Sequence, residues 1–273
     1  MNTLTNAVLV LGAAAFFGLV VPFAIARIVE KHVDWDKRAR RRIARIAHRQ
    51  HAKELYLGSS RLTAVPAQIG QLKQLELLHL DANRLKNLPP EIAELSVLKT
   101  LRLDDNRQLS ELPEAFWRLT SLVVLSMDNN QLTCLPPDIS RLIALQTLSL
   151  SGNKLTALPP EIGELRNLEI LNLDRNQLTL LPPEIGRLTN LRQLVLSDNR
   201  LSTVPPEIGQ MKALKTLLLQ NNQLTHLPVE LGELPRLEWL TTSKNPLAFP
   251  SPQTVRLGSS AVLAALRARA RSP

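Results

Sequence analysis

Two consecutive stretches, LEILNLDRNQLTLLPPEIGRLTN at 168–190 and LRQLVLSDNRLSTVPPEIGQMKA at 191–213, carry leucine, asparagine, proline and isoleucine at the same offsets. The period is 23 residues, and the pattern L-x-x-L-x-L-x-x-N-x-L-x-x-L-P-x-x-I-x-x-L-x-x runs from Leu75 to Arg236 with a degenerate copy at each end. A fixed period of this length means that each copy is one supersecondary unit that cannot bury its apolar face alone, so the copies must stack. In LEILNLDRN, Leu168, Leu171 and Leu173 turn inward from a short strand, while Ile170, Asn172 and Asp174 take the alternating outward positions. Stacked copies therefore build a parallel sheet.

The other repeated positions have structural readings. Asn83, Asn106, Asn130, Asn153, Asn176, Asn199, Asn222 and Asn245 follow the strand, where an inward amide satisfies turn backbone groups that burial would leave unpaired. Pro-Pro-Glu then opens a helical turn, with proline near its first position and Glu91, Glu161, Glu184 and Glu207 favourable to its positive end. The pattern resembles the leucine-rich repeat, and the 23-residue length with its LPPEIG turn is similar to the cytosolic class of the plant Ras-group proteins, Scribble and Erbin. That resemblance implies a curved solenoid with a binding role. The expected fold class is α/β: a leucine-rich-repeat solenoid with a curved parallel sheet and short helical turns on its convex side, plus one N-terminal transmembrane helix.

The expected organisation is a transmembrane helix at 1–29, a basic juxtamembrane helix at 30–51, repeats at 52–246, and a cap with a basic tail at 247–273. Ala7 to Ala26 is a run of twenty uncharged residues, about 30 Å as a helix and so able to span a bilayer. The six residues before it hold no Lys or Arg, whereas Arg27, Lys31, Lys37, Arg38, Arg40, Arg41, Arg42, Arg45 and Arg49 follow it. This asymmetry argues for a retained single-pass anchor, N-terminus outside and repeats cytosolic. Ala24-Ile25-Ala26 fits a cleavage site, and the rival reading is a secreted or periplasmic repeat protein released after Ala26. Val33 to Gln50, with Ile43, Ile46 and Ala47 on one side, reads as a basic amphipathic helix that either lies on anionic lipid or caps the repeats. At the other end Thr242 replaces a core leucine, and Ser259 to Arg269 reads as a closing helix with Val262, Leu263 and Leu266 inward. One repeat carries an extra residue, Gln108, read as an accommodated bulge.

The net charge of +9 is concentrated at the two ends. Residues 27–51 carry +6 and residues 256–273 carry +4, which leaves the repeats close to neutral and argues against nucleic acid as a partner. The five histidines share no metal-ligand spacing with cysteine or acid, so no metal and no cofactor are expected. Cys134, the one cysteine, is expected to be partly buried at the edge of the repeat core. An effector enzyme acting through Cys134 is the alternative in a different class, but no neighbouring base is visible, nor is a P-loop or a G-x-S-x-G, so neither an enzyme nor a small-molecule substrate is expected.

What remains is the outward side of the strands. The register predicts one row of Leu77, Thr100, Val124, Thr147, Ile170, Gln193, Thr216 and Trp239, and a second of His79, Arg102, Ser126, Ser149, Asn172, Val195, Leu218 and Thr241. A third runs Asp81, Asp104, Asp128, Ser151, Asp174, Ser197, Gln220 and Ser243. Ile170, Val195, Leu218 and Trp239 are expected to merge into one exposed apolar patch on four consecutive strands, unless Trp239 packs against the C-terminal cap. Asp104 and Asp128 join the candidate binding residues in a row that reads either as common strand-exit residues of the repeat or as an acidic stripe. The reading is a membrane-anchored scaffold, with an unidentified protein as its partner.

Overall fold

The computed structural model describes residues 35–47 and 52–271. The apolar run Ala7 to Ala26, and the span and its orientation read from it, lie outside the described residues. Among the described residues no helix is long and apolar enough to cross a membrane.

Nine strands form one parallel sheet in sequence order: β1 (Glu54–Tyr56), β2 (Leu77–His79), β3 (Thr100–Arg102), β4 (Val124–Ser126), β5 (Thr147–Ser149), β6 (Ile170–Asn172), β7 (Gln193–Val195), β8 (Thr216–Leu218) and β9 (Trp239–Thr241). Their inward leucines, Leu78, Leu101, Leu125, Leu148, Leu171, Leu194 and Leu217 among them, lose all contact with solvent. Each such side chain contributes at most about 1.5 to 3 kcal/mol of transfer free energy, so stability comes from repetition across the stack.

Each strand leads through the asparagine turn to a short 3-10 helix, such as Pro183–Arg187, which closes when the Leu188 N–H donates to the Ile185 carbonyl. Pro182 sets the extended entry, Pro183 needs no partner for a backbone N–H, and Glu184 falls in the first turn as expected. The glycine after the isoleucine is a packing requirement: a Cβ on Gly163 or Gly186 would stand 2.5 or 2.4 Å from the carbonyl oxygen of Glu184 or Glu207 in the next repeat. The turns therefore stack backbone against backbone.

The asparagine ladder is continuous except at one rung. Asn176 is typical: Nδ2 donates to the Leu150 and Leu173 carbonyls at 2.9 and 3.1 Å, and Oδ1 accepts from the Leu155 N–H at 3.0 Å. Asn130 keeps its two donations, to Leu103 and Met127 at 3.1 and 2.8 Å, but among the described residues nothing donates to its buried Oδ1. The cause is the extra residue, Gln108. It places Leu109 three residues after Asn106 instead of two, and the Leu109 N–H turns to the Asn106 carbonyl at 2.8 Å.

Both ends of the stack are closed. At the start, helix α1 (Trp35–Ala47) buries Ala39 and Ile43 in the same core as the leucines. This answers what the sequence left open, since the helix's apolar side caps the repeats. Asp36 fastens it: the carboxylate accepts the Thr63 N–H at 3.0 Å and the Thr63 hydroxyl. At the far end come α2 (Pro252–Arg256) and α3 (Ser259–Ala270), the latter with Val262, Leu263 and Leu266 buried. The Ser259 hydroxyl accepts from the Leu240 N–H at 2.9 Å and donates to the Leu240 carbonyl at 3.1 Å, occupying the outer edge of β9 that another strand would otherwise pair with. The tail arginines are used internally as well, Arg267 donating to the Gly232 carbonyl at 2.6 Å and Arg269 lying 4.7 Å over the Phe249 ring.

Candidate protein-binding face

The strand register aligns the outward positions as the sequence predicts: Ile170, Gln193, Thr216 and Trp239 in one row, Asn172, Val195, Leu218 and Thr241 in the next. The expected patch is only partly exposed. Val195 and Leu218 retain 7% and 8% of their surface, because outward neighbours on a concave sheet crowd them from both sides, while Ile170 is half-buried. Trp239 is 62% exposed. The apolar site is thus a protruding indole on the last strand beside a recessed aliphatic floor. Gln193 and Thr216 border that floor half-buried, while the Thr241 hydroxyl is fully buried and, among the described residues, without a hydrogen-bond partner. An aromatic with a polar handle next to a desolvated aliphatic floor has the composition of an interface hot spot.

The acidic stripe is corrected. Asp104 is buried, its Oδ2 taking the Arg102 Nε at 3.2 Å and its Oδ1 the Ser126 hydroxyl at 2.5 Å and the Asp128 N–H at 2.9 Å. Asp128 repeats the arrangement one copy further on, accepting from the Ser149 hydroxyl and the Ser151 N–H, both at 2.7 Å. These carboxylates tie each strand exit to the next repeat, a second and shorter ladder that the asparagines had hidden. Burial pushes the Asp128 carboxyl up to about 6, the Ser149 hydrogen bond opposing the shift and the neighbouring Asp104 charge adding to it. Burial likewise raises Asp174, and burial followed by the Arg102 charge lowers His79. His79 stacks edge-on against Tyr56 at 4.9 Å, giving the N-terminal half of the face a mixed polar character unlike the half that ends in Trp239.

Cys134 is exposed, contrary to expectation, because its side chain leaves the flank between two inward leucines, Leu132 and Leu135. Among the described residues no group of three or more His, Cys, Asp or Glu is placed to hold a metal ion.

The stack, the ladder and the turns define a leucine-rich-repeat protein, and comparison with known families agrees. The Leucine-rich repeat region family matches residues 23–134 and 114–195, and the Leucine rich repeat family matches residues 189–247. The chain belongs to the leucine-rich repeat family. No curated protein sequence matches it. Among solved structures, an internalin (inlF) from Listeria monocytogenes shares the fold at TM-score 0.67 and 24% identity, over 77% of this chain and 60% of that one. The leucine-rich-repeat ectodomain of the plant membrane receptor kinase GASSHO1/SCHENGEN3 from Arabidopsis thaliana, in complex with CASPARIAN STRIP INTEGRITY FACTOR 2, is 34% identical with TM-score 0.63, over 74% of this chain and 28% of that one. The plant peptide hormone receptor RGFR1, in complex with RGF2, is 32% identical with TM-score 0.55, over 71% of this chain and 38% of that one. The chain thus spans less than two thirds of the length of each.

Proposed function

We propose that this chain is a membrane-anchored, non-enzymatic scaffold that binds another protein through its concave sheet face. The observation that carries the reading is Trp239, a large indole left 62% exposed on the strand next to the one that carries Leu218. Two of the similar plant receptors are described in complexes, one with CASPARIAN STRIP INTEGRITY FACTOR 2 and one with RGF2, which supports a partner-binding role for a stack of this kind. The uncharged run from Ala7 to Ala26, followed at once by the arginines, supports a retained span with its N-terminus outside. The 23-residue repeat of the cytosolic class then lies on the inner side.

Trp239→Ala should weaken a captured partner by about 2 kcal/mol or more. Its melting temperature should stay near that of the parent chain, since surface changes of this kind move stability by less than about 0.5 kcal/mol. Unchanged binding would remove the concave face as the site. Orientation is tested separately by a fluorescent protein that folds only in the cytosol, fused after Pro273; recovery of a soluble chain beginning at Arg27 outside the cell would establish release instead.

A further inference from the structure

Helix α1 divides its surface in two. Ala39 and Ile43 are sunk in the repeat core and Asp36 is turned onto Thr63, whereas Lys37, Arg38, Arg40, Arg41, Arg42 and Arg45 are exposed. Several basic side chains in the repeats have acidic partners: Lys53 and Lys99 share Glu76, Arg187 meets Glu164, and Arg192 meets Glu169. Glu76 is held down at about 2 by the two ammonium groups that donate to it. On α1 the balance is different. Its only acid is Asp36, and among the described residues no ion pair involves Arg41, Arg42 or Arg45.

We propose that the outer face of α1 is a docking surface for an anionic phospholipid bilayer, bound through headgroup electrostatics alone. Charge complementarity supplies the attraction, each basic residue near such a surface strengthening binding about fivefold. The neighbouring sequence selects a bilayer over a nucleic acid, because the uncharged run that ends at Ala26 stands nine residues before Trp35 and is long enough to cross hydrocarbon. The mode of contact follows from the cap. An interfacial helix ordinarily sinks its apolar side into the acyl boundary, but here that side is spent on the leucine stack, which leaves guanidinium groups against phosphates. The repeats then rise from the bilayer with their first copy nearest the lipid, and eight strand spacings place Trp239 roughly 40 Å along the stack from β1. This deepens the membrane reading above and rests on it for biological context, yet the two fail separately, because the test omits the apolar run.

Asp34–Pro273 is a compact unit closed at both ends, so residues 34–273 can be tested without the run before them. Sedimentation with vesicles of phosphatidylcholine containing about one third phosphatidylserine should capture it, and vesicles of phosphatidylcholine alone should not. Raising salt from about 0.1 M to 1 M shortens the screening length from about 10 to 3 Å and should release it. Arg40→Gln, Arg41→Gln, Arg42→Gln and Arg45→Gln together should weaken capture by about 100-fold or more with the melting temperature unchanged, while lysine at the same four positions should retain it. Equal capture by neutral vesicles, wild-type binding by the glutamine variant, or complete displacement from anionic vesicles by duplex RNA at matched phosphate would overturn the proposal.

Discussion

Asn130 and Asn176 occupy the same position in the 23-residue pattern, yet replacing each with leucine should have unequal consequences. In Asn176→Leu the Leu155 N–H loses its acceptor, while the carbonyls of Leu150 and Leu173 each lose one of two donors and keep those from Asn153 and Asn199. The Leu155 N–H is the group left orphaned, and an orphaned buried group costs about 1 to 3 kcal/mol. The two hydrogen bonds lost at the carbonyls add about 0.5 to 1.5 kcal/mol each, for roughly 2 to 6 kcal/mol in all, a large share of the 5 to 15 kcal/mol typical of a folded domain. In Asn130→Leu the Leu103 and Met127 carbonyls likewise each lose one of two donors, but no N–H is orphaned, because the Leu109 N–H is already committed to Asn106. Removing Oδ1 also relieves an unpaired buried oxygen. The substitution should therefore cost less than Asn176→Leu by about 1 to 3 kcal/mol. Both sites lie inside the stack and report on neighbouring copies, so urea denaturation followed by circular dichroism compares them directly. The account of the bulge also predicts that deleting Gln108 frees the Leu109 N–H for Asn130, after which the two leucine variants should cost the same. Equal midpoints in the parent chain, or a larger loss at Asn130, would refute it.

Other expectations follow from the same geometry. Asp128 is raised from an ordinary 3.8 to about 6, so the folded state takes up the proton first. Stability therefore falls as pH rises through that interval, and the charge opposes folding above it. Asp128→Asn keeps an oxygen for the Ser149 hydroxyl and the Ser151 N–H, so it should stabilise the chain at pH 8 by up to about 2 kcal/mol and lose that advantage below about pH 4, as thermal melts across pH would show. Ile43→Ala should lower stability by about 2 to 4 kcal/mol through the cavity left under α1. Hydrogen exchange would locate that loss in the first repeats, with β9 protected as in the parent chain.

How far the sequence reaches differs from feature to feature. Register was legible because every repeat restates it, so the outward rows read from the leucine spacing are the rows in the sheet. Exposure was not: alternation says which way Val195 and Leu218 point, but how closely the neighbouring strands crowd them is set by the stack. The aspartates mislead for a related reason, since their donors, Ser126 and Ser149, sit one repeat away and look like ordinary surface serines. For α1, an apolar side of Ile43, Ile46 and Ala47 suits a lipid surface and an open repeat end equally well, and only the packing, which buries Ala39 and Ile43, distinguishes them. Gln108 was visible as an extra residue, but its effect on Asn130 is a matter of which carbonyl the Leu109 N–H reaches.

The central claim, that the concave face near the C-terminal end meets a protein partner, is tested most directly by site-specific crosslinking. A photoreactive amino acid placed at Thr216, beside the Val195 and Leu218 floor, is compared with the same group at Glu184 on the 3-10 turns of the opposite side. Thr216 should give one discrete crosslinked partner, Glu184 should not, and Trp239→Ala in the same chain should abolish the product. A partner crosslinked from Glu184 and not from Thr216 would contradict the account.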